Sequence, residues 1–175
     1  MSGNSIARFR VREQFARVNL PNDAVGQTRQ VSGSLVFDGS GAVVAGQSKI
    51  TVGLLSLQSD EDDRDEFLRT NSLESEKFPL AELAVRETPG MPWPISSQGE
   101  AVFQIAGDMT VHGETVPLTW DATVQLRPDG AKGLMTINFP FSTFDMKKPK
   151  KLFLLSVDDD IRLELQFDAP ITASP

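Results

Sequence analysis

The sequence predicts an all-β domain, an antiparallel barrel of about eight long strands with one short helical insertion at about residues 60–70. Three observations carry this. Apolar and polar residues alternate with a period of two over most of the chain, the mark of strands with one buried face. Short turns rich in Gly, Pro and Asp separate consecutive alternating runs, which favours antiparallel neighbours. The period changes to a helical one in a single place only. All 175 residues read as a single domain, long enough to enclose a sizeable core.

The first run sets Ala7, Phe9 and Val11 against Arg8, Arg10 and Arg12. Pro21-Asn22-Asp23-Ala24 then reads as a loop. Val31, Gly33, Leu35 and Phe37 mark a second strand, Asp38-Gly39-Ser40-Gly41 a turn, and Ile50, Val52 and Leu54 a third strand. Ser59 followed by three acids is a helix start, with a capping hydroxyl and carboxylates where the helix dipole favours them. The helix is expected from Asp60 to about Arg69, pinned by Phe67 and Leu68. Between Asp60 and Glu76, eight acids face Arg64 and Arg69, so negative charge is concentrated here.

Phe78-Pro79 closes the connection, and Ala81, Leu83 and Val85 resume a strand. Pro89, Pro92 and Pro94 stiffen the loop around Trp93. The stretch Ala101–Leu126 is one long hairpin. With His112-Gly113-Glu114-Thr115 as a four-residue turn, Val111 faces Val116, Met109 faces Leu118, Gly107 faces Trp120 and Ile105 faces Ala122. Gly107 is then the gap that receives the Trp120 indole. Pro128-Asp129-Gly130 turns into Met135, Ile137, Phe139 and Phe141. Lys147-Lys148-Pro149-Lys150-Lys151 reads as a basic loop and Asp158-Asp159-Asp160 as an acidic turn. The last strand alternates Ile161, Leu163, Leu165 and Phe167 with polar residues.

Composition excludes several function classes. Seventeen basic and 24 acidic side chains leave a net charge of −7, with no basic run long enough to track a phosphate backbone, so nucleic acid is not an expected partner. Zero cysteines exclude disulfides, thiolate metal sites and cysteine nucleophiles. No apolar run approaches a transmembrane segment, and the N-terminus has no signal-peptide core. A chain starting natively at Met1 is expected in the cytoplasm; a trimmed one would belong to the periplasm.

Catalytic and metal motifs are missing. His112, the one histidine, suits a hairpin turn beside Gly113 better than a general base or metal ligand, because no second histidine or cysteine completes a shell. The acidic run from Asp60 fails the EF-hand pattern at its sixth and twelfth positions, Asp65 and Asn71. Neither a metal, a cofactor nor an enzymatic activity is expected. The interior candidates are Phe9, Val11, Leu35, Phe37, Ile50, Val52, Phe67, Phe103, Ile105, Trp120, Leu163 and Phe167. They are ligand-binding if the barrel is hollow and plain core if it is filled, and periodicity does not separate the two. Lys147, Lys148, Lys150 and Lys151 form a solvated charge run, or receive the phosphate of an amphiphilic ligand if they sit at the barrel mouth.

Ala7-Arg8-Phe9-Arg10-Val11, Gly33-Ser34-Leu35-Val36-Phe37-Asp38, Ser59-Asp60 through Arg64-Asp65-Glu66-Phe67-Leu68, and Phe78-Pro79 resemble the YceI-like family in content and order. Gly107-Asp108-Met109-Thr110-Val111-His112-Gly113-Glu114-Thr115-Val116-Pro117-Leu118 is similar to that family's "G-x-L-T-x-x-G-x-x-x-P" hairpin. The resemblance implies a lipocalin-like barrel that holds a polyisoprenoid or another long-chain lipid, without catalytic residues. A late family pattern, "R-x-D-F-G", falls on Phe141-Ser142-Thr143-Phe144-Asp145 without its arginine or glycine, which implies an altered or closed barrel end. The leading expectation is a non-catalytic carrier, storage or sensor protein for an isoprenoid or fatty-acyl chain. Its alternative is a ligand-free interaction or structural module with a filled core. Association of two barrels into a homodimer stays open.

Overall fold

Each alternating run can bury one face only by lying beside others like it, and the runs assemble into one antiparallel sheet. The computed structural model describes residues 1, 4–15, 21–149 and 154–172. Among them are β1 (Ile6–Phe15), β2 (Asn22–Thr28), β3 (Val31–Ser34), β4 (Lys49–Gly53), β5 (Leu80–Glu87), β6 (Gly99–Val111), β7 (Glu114–Arg127), β8 (Gly130–Phe139) and β9 (Leu154–Ala169). Their order is β2-β1-β9-β8-β7-β6-β5-β4-β3. The chain just after β4 bridges back to β2, where Gln27 and Gln58 exchange main-chain hydrogen bonds of 2.7 and 3.0 Å. The result is a nearly closed barrel, which leaves little strand edge unpaired.

Nine strands replace the expected eight because 21–24 is not simply a loop. Asn22 and Asp23 are poor strand formers, but Asn22–Thr28 has β1 to pair with along its length, Glu13↔Asn22 through Ala7↔Thr28. Pairing and burial outweigh intrinsic preference. At β3 the strand ends at Ser34, and Phe37 makes only an isolated bridge to Val43. The helix is also shorter than expected: α1 spans Asp62–Phe67 and continues as a π-turn over Leu68–Ser72. Ser59 does not cap it. Instead Ser59 donates its main-chain N–H and its hydroxyl to Asp65, at 2.9 and 2.7 Å to Oδ1, which fixes the entry loop.

The acidic triplet Asp158-Asp159-Asp160 lies within β9, not in a turn. Opposite it the β1 register moves from Val11↔Ile161 to Glu13↔Val157, so three aspartates stand against Arg12 as a bulge. Two of them are used: Asp159 accepts the Phe141 N–H at 3.1 Å and Asp160 the Asn138 side-chain amide at 2.8 Å.

The central hairpin turns over two residues, not four. Val111 pairs with Glu114, Met109 with Val116, Gly107 with Leu118 and Ile105 with Trp120. His112 and Gly113 both take positive φ, 54° and 82°, the type I′ geometry whose twist matches that of the flanking strands. A slip of two residues keeps every side chain on its own face, so the apolar face survives while each pairing changes.

Gly107 therefore does not receive Trp120. A Cβ there would run into the main chain of Ala84 and Val85 on β5, where β5 bulges between Val85 and Glu87. Gly107→Ala is expected to cost about 1–3 kcal/mol by overpacking against backbone that has no rotamer to yield. A urea midpoint equal to that of the parent protein would refute this close approach.

Candidate functional site

Inward side chains of the strands line an apolar cavity of about 310 Å³. It occupies one half of the barrel. In the half that holds the start of β6 and the end of β7, Ala101, Ile105, Ala122, Val124 and Leu126 are buried in contact with one another and fill the interior. In the other half, toward the His112–Gly113 turn, Met109, Val111, Trp120, Met135 and Phe139 stand around open space. Along β1 the wall runs from Ala7 through Phe9 and Val11 to Glu13, a rise of about 20 Å at 3.3 Å per residue.

Two segments stand over this half. Arg64, Phe67 and Leu68 of α1 and its π-turn line the cavity, as do Phe141 and Met146. Phe141–Phe144 is a 3₁₀ turn with Phe144 fully buried and stacked edge-on against Phe139 at 5.1 Å. This is the segment whose late family pattern lacks its arginine and glycine, and here aromatic rings occupy the barrel end. Ser72 donates to the main-chain oxygen of Lys147 at 3.0 Å, tying the two segments together.

The interior candidates divide along the two halves. Phe9, Val11, Ile50, Val52, Phe67, Trp120 and Leu163 line the cavity. Leu35, Phe37, Phe103, Ile105 and Phe167 do not line it. Ile105 is buried in the core, the other four are half-buried, and Phe37 packs on the Trp93 ring at 5.9 Å. Lys147 and Lys148 do not line the cavity either; Lys148 lies 3.7 Å from Asp159. Lys150 and Lys151 lie outside the described residues. His112 is tied into the structure, with Nε2 2.6 Å from Glu74 Oε2 and Nδ1 3.2 Å from the main-chain oxygen of Phe144. His112 does not line the cavity. Among the described residues no cluster of His, Asp and Glu could hold a metal, and no helix is long and apolar enough to cross a membrane.

The cavity wall includes a buried ion pair. Arg64 on α1 reaches down to Glu13 on β1 at 2.6 Å, with the two side chains only 11% and 8% exposed. The same guanidinium donates to Asp60 at 2.6 Å and to the Ser59 hydroxyl at 2.9 Å. Burial works against the Arg64 charge, but hydrogen bonds and attraction from Asp60 and Glu13 outweigh it and hold its pKa above the usual value. Asp60 is pulled below the usual carboxylate range, chiefly by its bond to Arg64. A sequence signal for Glu13 exists: it continues Ala7-Phe9-Val11 on the apolar face, where a carboxylate needs a partner. No comparable signal marks Arg64, which sits in a run of acids that reads as a solvated surface.

An antiparallel barrel with an internal apolar cavity is the architecture of the lipocalin-like proteins. The YceI-like domain model matches residues 3–169, and the chain belongs to this family. Solved structures agree on the fold. BcnA of Burkholderia cenocepacia is 14% identical, with a TM-score of 0.68, over 94% of this chain and 96% of its own. A polyisoprenoid-binding domain from Saccharophagus degradans is 13% identical, with a TM-score of 0.69, over 97% and 96%. The Campylobacter jejuni YceI protein is 15% identical, with a TM-score of 0.64, over 91% of each. No curated protein sequence matches this chain.

Proposed function

We propose that the protein binds a long-chain apolar ligand, a polyisoprenoid or fatty-acyl lipid, within the barrel, and serves as carrier, store or sensor without catalysing a reaction. The observation that carries this reading is the half-hollow interior. A protein interior ordinarily packs to crystal-like density, whereas this one leaves about 310 Å³ walled by Phe9, Val11, Val52, Trp120 and Leu163. An apolar chain entering such a space gains about 0.8 kcal/mol per buried CH₂. Family membership and the polyisoprenoid-binding domain of Saccharophagus degradans support the same reading. The filled-core alternative has no use for the void.

Organic extracts of protein freshly purified from cells are expected to contain a long-chain lipid in near-stoichiometric amount, identified by mass spectrometry. Native mass spectra that repeatedly show ligand-free protein alone would overturn the proposal.

A further inference from the structure

Three non-glycine residues among the described ones hold a positive φ: Glu74 at 46°, His112 at 54° and Asp145 at 49°. Such angles cost energy for residues that carry a Cβ, and these three meet at one junction. His112 Nδ1 lies 3.2 Å from the main-chain oxygen of Phe144, next to Asp145, and Nε2 lies 2.6 Å from Oε2 of Glu74. On one side the imidazole is fixed to the barrel: Phe144 is fully buried, and Phe78 stacks edge-on against the ring at 5.1 Å. On the other side it holds Glu74, two residues past the π-turn Leu68–Ser72. The segment held in this way packs lightly, since α1 has no buried residue and Ser72 is the one buried residue of the π-turn. Yet Leu68, Ser72 and Leu73 line the cavity, and His112 does not.

Resting on the lipid-binding reading, we propose that α1 and its π-turn are a gate over the cavity, with His112 as the latch that fixes their far end through Glu74. A segment with few buried contacts opens locally at low cost. The near end is held by Arg64 on Glu13, a buried pair that is expensive to part, so the gate pivots there. The far end is held by the Ser72 hydroxyl on the Lys147 main-chain oxygen and by Glu74 on His112. The Glu74 side chain is 39% exposed, so water replaces its partner readily. Opening also frees Glu74 to leave its positive φ, and the strain held at this catch favours release. Leu68, Ser72 and Leu73 then leave the wall, and an apolar chain passes beneath them. His112 is a positioning residue: it governs the rate of passage and leaves the contacts inside the cavity unchanged.

The test is stopped-flow binding of the neutral apolar probe N-phenyl-1-naphthylamine to the full-length, delipidated protein and two variants. His112→Asn removes the imidazole and keeps the turn, because Asn-Gly is a favoured type I′ pair. Glu74→Asn removes the same tie from the gate side with a residue that tolerates positive φ. Each variant is expected to speed association and dissociation alike by about fivefold, the rate equivalent of one partly exposed ion pair, with affinity unchanged. Amide hydrogen exchange over residues 68–73 is expected to quicken in the ligand-free variants while that of β6 holds. Rates equal to those of the parent, or faster dissociation alone with affinity lost in proportion, would overturn the gate and leave lipid binding intact. A parent protein that takes up neither this probe nor geranylgeraniol would overturn lipid binding and this inference with it. Should His112→Asn fail to fold, Glu74→Asn decides.

Discussion

Arg64→Met is expected to lower stability by about 3–5 kcal/mol, the usual cost of leaving one member of a buried ion pair without its partner. For a chain of this size that is a fall in Tm of about 6–20 °C. The expectation is large because the pair is almost fully enclosed, with side-chain exposures of 11% and 8%, so solvent screening does not dilute it as it does a surface pair. Asp60, by contrast, is 72% exposed, and Asp60→Asn is expected to shift stability by less than about 1 kcal/mol. The pair also holds α1 in place, since α1 has no fully buried residue of its own. Replacing both members, Glu13→Leu with Arg64→Met, is expected to recover most of the loss, because two apolar side chains of similar volume carry no stranded charge. Thermal and urea unfolding of the parent, the two single variants and the double variant measure the coupling directly. Additive losses in the double variant would show that Glu13 and Arg64 do not act as a pair.

Much of this architecture was legible because strand alternation reports burial, and burial is what the barrel is built from. The face of β7 follows the period of two residue by residue, and β6 follows it apart from Ala106 and Gly107. What alternation does not report is how chains meet. The His112–Gly113 turn is two residues where four also preserve every face, since the two registers differ by an even number. β2 escaped because Asn22 and Asp23 carry loop chemistry, and a strand made by its neighbour leaves little trace of its own. The bulge at Asp158–Asp160 looks like a turn for the same reason: three consecutive aspartates cannot alternate. The cavity was the least legible feature. Phe9 and Phe103 occupy equivalent places in their alternation patterns, yet only Phe9 faces open space. The difference lies in how many opposing side chains reach the same volume, and that is a property of closure rather than of any one strand. Glu13 went unread although it is a carboxylate that continues an apolar face, and its partner lies 51 positions away.

Filling the void should abolish binding while sparing the fold. Ala24 on β2 and Ala81 on β5 are buried, at 3% and 9% exposure, and both line the cavity. Ala24→Phe and Ala81→Phe each place a ring where the ligand is proposed to lie. Excluding about four methylenes at roughly 0.8 kcal/mol each costs about 3 kcal/mol, or about 100-fold in affinity. In a packed core the same change would strain its surroundings by about 1–3 kcal/mol. Here the ring gains contact with Phe9, Val11 or Val52 instead of displacing them, so unfolding temperature is expected to hold or rise in the ligand-free state. Thr119→Phe serves as the control, since Thr119 is exposed on β7 beside the inward Trp120. It adds the same ring to the outside of the barrel and is expected to leave affinity unchanged. Displacement of an apolar probe reads all three variants. A ligand held on the outer surface, or at the barrel rim, would bind Ala24→Phe and Ala81→Phe as well as it binds the parent, and the interior would then be a packing defect without a guest.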